Sequence, residues 1–180
     1  MDTTVTTWFL EMTSPDQLRR AQVPSPRPRI EQAEIPSPEF SRFLYTAVGG
    51  DWFWRGRLPW TYERWMQWLD RPELQTWVLC DRGTPAGYIE LEKQAEGDVE
   101  IAYFGLIRSF IGRGFGGHLL TEGIERAWAM NARRVWVHTC SLDAKTALAN
   151  YQARGLRIYD EKADAIANLG EPDGPWPGAR

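Results

Sequence analysis

Residues 111–120 read IGRGFGGHLL: four glycines fall within six positions, and Leu119 and Leu120 follow after His118. Glycine clusters ordinarily mark loops, yet Leu120, Ile124, Ala127 and Trp128 recur at helical spacing. Immediately upstream, DVEIAYFGLI is a strand-forming run. The order is therefore strand, glycine loop, helix. A loop in that place collects backbone N–H groups without intrahelical partners, at the positive end of the helix dipole. Glycine lets an anion approach the main chain there, so the stretch reads as a phosphate cradle, with Arg113 as a cation at its mouth. Tight helix–sheet packing would need one glycine, not four.

The surrounding chain narrows the fold. TTVTTWFLEM is a first strand, and SPDQLRRA carries a helix-start signature, with Ser14 as N-cap, Pro15 next and Gln17 closing a capping box. VPSPRPRI holds three prolines in eight residues and is a connector. A helix follows Ser37, with Phe40, Phe43, Leu44, Ala47 and Val48 on one face and Gly49-Gly50 as its stop. Thr61 caps another, with Trp65, Trp68 and Leu69 inward. TWVLCD, PAGYIELEKQ and DVEIAYFGLI, separated by RGTP and AEGD, form an antiparallel meander. After the glycine-loop helix come the strand RRVWVHTCS, a helix from Asp143 to Ala153 ended by Gly155, and the strand LRIYDEK. The tail NLGEPDGPWPGAR is expected to be loose.

Two cofactor classes compete for the loop. Gly112, Gly114 and Gly117 satisfy the dinucleotide fingerprint G-x-G-x-x-G. That fingerprint should open a doubly wound sheet, but only two strands and one helix remain after the glycine-loop helix. The ribose-binding acid that should end the next strand is missing, since that strand ends HTCS. No glycine is followed by Lys and Ser/Thr, so a Walker A loop is absent.

The other class is acyl-CoA. EIAYFGLIRSFIGRGFGGHLL resembles motif A of the GNAT (Gcn5-related N-acetyltransferase) superfamily, a strand, a loop Q/R-x-x-G-x-G/A and a helix. The loop aligns as Ile111, Gly112, Arg113, Gly114, Phe115 and Gly116, with Ile111 replacing the usual polar first residue. SLDAKTALANYQARGLRIY resembles motif B, with Tyr151 at its tyrosine and Gly155-Leu156 at its Gly-Phe pair. The resemblance spans roughly residues 75–162. It implies an α/β (α+β) fold with a mixed, largely antiparallel central sheet, helices on both faces and a splayed strand pair at an acetyl-CoA site. It implies one domain over 1–165: an acceptor-side region to about residue 75, an acetyl-CoA core over about 76–162, and the tail 166–180 outside.

The implied activity is transfer of an acetyl group from acetyl-CoA to a primary amine, by direct attack in a ternary complex and without metal. On these residues the resemblance places cofactor contacts at Gly105, Leu106 and Ile107, with Gly105 as a bulge residue, then at Ile111, Gly112, Arg113, Gly114, Phe115, Gly116 and Gly117, and at Asn150. Tyr151 takes the role of general acid to the departing sulfur. An alkylammonium needs a base at neutral pH, and Glu100 falls at the position of the glutamate base of histone-type members. Glu90 and Glu92 share a face of the preceding strand and are alternative bases. His118 and His138 read as structural histidines. The alternatives are a non-catalytic acyl-CoA sensor and a dinucleotide-dependent oxidoreductase.

Of ten tryptophans, five lie between Trp52 and Trp68. Trp65 and Trp68 read as core. Trp52, Trp54 and Trp60 are candidate walls of an acceptor pocket, with Glu90 as its acid. Aromatic faces attract cations and the meander is rich in carboxylates, so a cationic primary amine, small or on a peptide, is the expected acceptor. Arg55 and Arg57 argue instead for a carboxylate. With 180 residues and a formal charge of −3, one core is expected and a general nucleic-acid binder is not. Cys80 and Cys140 form no metal-ligand spacing, and no signal peptide or membrane-length apolar run is visible, so a reducing cytoplasm is expected. Exposed aromatic surface is compatible with a homodimer.

Overall fold

The computed structural model describes residues 2–179. Seven strands form one sheet: β1 (Asp2–Met12), β2 (Arg29–Gln32), β3 (Leu74–Asp81), β4 (Thr84–Lys93), β5 (Asp98–Leu106), β6 (Arg134–Cys140) and β7 (Arg157–Ala167), in the order β2-β3-β4-β5-β6-β1-β7. Every neighbouring pair is antiparallel except β5 with β6. Four α-helices accompany it: α1 (Pro38–Gly49), α2 (Tyr62–Leu69), α3 (Phe115–Ala129) and α4 (Ala147–Ala153).

Alternation on β4 divides the core. Ile89 and Leu91 face α3, where Leu119, Leu120, Ile124 and Ala127 are fully buried. Tyr88 faces the other way, onto Leu44 and Val48 of α1. Helices therefore cover both faces. Gly116, Gly117 and Gly123 each weaken α3 by about 1 kcal/mol. Burial of its three large aliphatic side chains, roughly 1.5–3 kcal/mol apiece, outweighs that and fixes the helix against the sheet.

The helix starts follow local chemistry. Ser37 Oγ accepts from Phe40 N at 3.3 Å and Thr61 Oγ1 from Arg64 N at 3.3 Å, which sets the first turns of α1 and α2. Ser14 does cap, and Gln17 closes the capping box, but the helix is a single 3-10 turn over Pro15–Gln17. Tertiary acceptors take the next donors: Arg19 N bonds to Arg154 O and Ala21 N to Thr121 Oγ1. Asp143 does not start a helix either. Its carboxylate accepts from Thr139 Oγ1 at 2.6 Å and Cys140 N at 2.9 Å, and α4 begins at Ala147.

The tail, expected to be loose, has partners. Arg55 donates to Asp173 and to the carbonyls of Leu169 and Glu171, and Gly174 N donates to Gly50 O. Among the described residues no helix is long and apolar enough to cross a membrane, and no group of three His, Cys, Asp or Glu could hold a metal ion.

Candidate active site

The parallel pairing of β5 and β6 stops early. It joins Asp98 to Arg134, Val99 to Val135 and Glu100 to Trp136, whereas β5 continues to Leu106 and β6 to Cys140. Beyond Glu100 the strands part, and a cavity of about 990 Å³ opens between them, lined by the glycine loop, by α4 and by the aromatic residues before α2.

A bulge aims β5 into this opening. Glu90 pairs with Tyr103 but Leu91 with Ile101, so Ala102 is the extra residue. Glu100 and Tyr103, three residues apart, thereby share a face. The bulge is at Ala102 and not at Gly105, which pairs regularly with Tyr88. Gly105 is required for another reason: a Cβ there would stand 2.5 Å from Val48 Cγ1 of α1. Ile107 N is committed to Ala86 O at 2.9 Å, so this residue offers the cavity no donor. By alternation from Ile107, the N–H groups that point from β4 toward the splay are those of Leu106 and Phe104. The sequence does not single out Phe104, because the register of β5 against β4 leaves no mark in it.

At the loop, Gly112 and Gly114 hold left-handed φ of 85° and 79°, and Gly114 is the N-cap of α3 with no side-chain cap bond. The first N–H groups of α3 are thus free of a capping side chain, and Gly112, Gly114, Gly116 and Gly117 line the cavity with Ile111. Asn150 of α4 faces Gly116 across it. Phe115 can contribute only its backbone, because its side chain is buried in the core. Arg113 turns away: its guanidinium reaches Asp81 Oδ2 at 2.8 Å and lies over the rings of Phe110 and Phe115. A different guanidinium stands near the start of α3. Arg154 Nη1 would meet a Cβ on Gly117 at 2.6 Å, and its Nε is buried with no partner among the described residues. Burial lowers its pKa.

Tyr151 lines the same cavity, 5% exposed, edge-on to Phe104 with ring centroids 5.8 Å apart. Burial, and then the Asp143 carboxylate, push its pKa far above the ordinary phenol value. The hydroxyl keeps its proton at every physiological pH.

Glu100 stands where the strands part. Its Oε2 accepts from Gln94 Nε2 at 2.7 Å, Gln94 Oε1 in turn accepts from Trp136 Nε1, and its Oε1 is 3.4 Å from His138 Nδ1. Both Glu100 and His138 line the cavity. The Glu100 hydrogen bond raises the His138 pKa against the opposing effect of burial. His138 is thus brought to the site by the parallel register, which no local signal in VWVHTC reveals. His118 lies buried in α3, where burial lowers its pKa.

Trp52, Trp54 and Trp60 line the other arm of the cavity. Glu90 does not. It is 1% exposed and receives both Arg57 Nη2 at 2.7 Å and Arg57 Nη1 at 3.1 Å, with Trp68 Nε1 at 3.0 Å. Burial opposes the Arg57 charge and Glu90 restores it. Glu92 likewise binds Arg71 at 2.8 Å. Neither is placed to accept a substrate proton.

A sheet that splays along its one parallel pair, with an uncapped glycine loop on one side and a buried tyrosine across the gap, has the arrangement expected of an acetyltransferase fold. The Acetyltransferase (GNAT) family profile matches residues 34–156, and the chain belongs to that family. Solved structures agree in fold. A Gcn5-related N-acetyltransferase from Sphaerobacter thermophilus superposes with a TM-score of 0.64 at 22% identity, over 89% of this chain and 50% of that one. One from Kribbella flavida gives 0.62 at 20% identity, over 96% and 61%. A tandem GNAT protein from the clavulanic acid biosynthesis pathway gives 0.60 at 16%, over 96% and 55%. The chain therefore spans between half and two thirds of these relatives' lengths. No curated protein matches it in sequence.

Proposed function

We propose that the chain transfers an acetyl group from acetyl-CoA to a primary amine by direct attack within a ternary complex. The observation that carries this reading is the parting of β5 from β6 beyond Glu100, which joins the glycine loop to the aromatic chamber through one cavity. The residues present suit the donor. Uncapped N–H groups at the start of α3, with Arg154 beside Gly117, form a seat for pyrophosphate. The N–H groups of Phe104 and Leu106 suit the pantetheine arm and the thioester oxygen. Acetyl-CoA supplies the activated acyl carbon.

The chain's own groups then manage the protons. Glu100 and His138 accept the proton that the acceptor ammonium must lose before its nitrogen can attack. The new C–N bond forms as the C–S bond breaks, and the second proton of the attacking nitrogen passes to the departing thiolate through the Tyr151 hydroxyl, which gives its own proton to the sulfur and regains one from the nitrogen. Neither cysteine is needed as a nucleophile: burial raises the pKa of both Cys80 and Cys140, which disfavours the thiolate.

Thermal shift with acetyl-CoA, CoA and NAD, followed by thiol release with an amine panel, tests the assignment. Acetyl-CoA and CoA should stabilise the protein. Tyr151→Phe should lower kcat about a hundredfold while acetyl-CoA affinity is retained. Stabilisation by NAD alone would reverse the cofactor assignment, and binding without turnover in any variant would leave an acyl-CoA sensor.

A further inference from the structure

Resting on that assignment of the site, we infer that the acceptor is an amine carried on a flat, uncharged apolar body, an arylalkylamine, and not a polyamine or a lysine-rich peptide. The seat that a second cation would use is already filled by the chain. The Arg57 guanidinium lies 4.8 Å from the Trp60 ring centroid, 5.6 Å from Trp65, 4.4 Å from Trp68 and 4.2 Å from Tyr103, and its charge is met by both oxygens of Glu90. This aromatic cage, the part of the tryptophan cluster best suited to a cation, already holds the chain's own cation where it lines the cavity.

The acidity of the meander is spent in the same way. Glu90 pairs with Arg57, Glu92 with Arg71, Glu96 with Arg133 at 3.5 Å and Asp98 with Arg134 at 2.8 Å. A polycation needs several unspent carboxylates. The cavity is lined by two, Glu100 beside His138 at the splay and Asp143, whose Oδ2 is taken by Thr139 Oγ1 and Cys140 N. A carboxylate-bearing acceptor fares no better, because Arg55 is engaged by Asp173 and by two carbonyls of the tail.

What remains along the acceptor arm is aromatic surface, chiefly Trp52, Trp54 and Tyr103. Trp54 is held as a fixed wall, edge-on to Tyr103 at 4.8 Å and tilted against Tyr45 at 5.6 Å. One proton-accepting point at the end of a rigid aromatic slot fits one amine on a planar apolar group.

The experiment compares kcat/KM for 2-phenylethylamine, tryptamine, spermidine and a lysine-containing peptide, with acetyl-CoA thermal shift on the same preparation. The aryl amines should exceed spermidine and the peptide at least tenfold. Trp54→Leu should raise the KM for 2-phenylethylamine about tenfold and leave the KM for acetyl-CoA unchanged. Should that variant fail to fold, quenching of native tryptophan fluorescence by 2-phenylethylamine, and not by spermidine, in the presence of CoA gives the same answer. Preference for spermidine or the peptide in a protein that acetyl-CoA does stabilise overturns the acceptor assignment alone; turnover of none of the four overturns it too, and turnover elsewhere in the amine panel then separates a transferase with another acceptor from an acyl-CoA sensor. Absence of stabilisation by acetyl-CoA overturns the transferase reading and this inference together.

Discussion

His138 gains its place in the site from one contact, the 3.4 Å approach of its Nδ1 to Glu100. The other groups around it are the Phe9 ring on β1, the Trp136 ring on its own strand and the Asp143 carboxylate just beyond β6. The hydrogen bond to Glu100 is the largest influence, and it raises the imidazole pKa above its ordinary value of about 6.5. A base must be unprotonated to act, so kcat/KM should fall as pH drops through this raised value. Glu100→Gln should move that acid limb down toward the ordinary imidazole range and lower the plateau, and His138→Gln should remove the limb. A pH–rate profile at saturating acetyl-CoA checks both, and an unmoved limb in Glu100→Gln would detach His138 from the reaction. Glu90 plays a structural part by contrast. Glu90→Gln leaves a guanidinium 4% exposed without its counter-charge, a change that costs about 3–5 kcal/mol in buried pairs. Denaturant unfolding should register that loss, and replacing both partners together (Glu90→Leu with Arg57→Met) should recover most of it.

Elements in this chain meet at close distances that single side chains set. Gly105 brings β5 against α1, and Gly105→Ala would press a methyl onto Val48 Cγ1. Overpacking of this kind costs roughly 1–3 kcal/mol. The melting temperature should fall accordingly, and Val48→Ala in the same chain should restore much of it by opening the needed space. No rescue would mean that the strand backbone, not α1, resists the methyl. The elements legible in the sequence are those with local signals: the caps Ser37 and Thr61, the turns that divide the meander, and the glycines that open α3. Those that were not legible depend on partners far along the chain. β2 is four residues long at the sheet edge beside a proline-rich connector, and only its pairing with β3 makes it a strand. The Ala102 bulge is a mismatch between two strands, visible in neither alone. Arg57 and Glu90 are 33 positions apart, so the acids and tryptophans that look like a cation site in sequence turn out to be satisfied by arginines of the same chain.

At the scale of the whole molecule, the splay divides the sheet into two parts. β2 to β5 carry α1 and α2, while β6, β1 and β7 lie beyond the opening. Pairing alone joins these parts only over the three residue pairs of β5 with β6. The tail supplies a second tie. It leaves β7 at the far edge of the sheet and reaches back to the segment between α1 and α2, where Arg55 binds Leu169, Glu171 and Asp173 and Gly50 receives Gly174. Trp52 and Trp54, which wall the acceptor arm, lie inside that clasped segment. The clasped segment meets the approach to the glycine loop at Asp51, 3.8 Å from Arg108, but it carries Trp52 and Trp54 itself, so the tie should act more on the acceptor than on acetyl-CoA. Truncation after Ala167 should raise the KM for the acceptor about tenfold, which is roughly the effect of losing 1.4 kcal/mol of positioning, and change the KM for acetyl-CoA far less. Arg55→Ala in the full chain should reproduce most of that change, since the guanidinium holds three of the tail's contacts. Steady-state kinetics with each substrate varied in turn separates the outcomes: equal rises in both constants would indicate general loosening of the sheet, and no rise in either would make the tail a passive end.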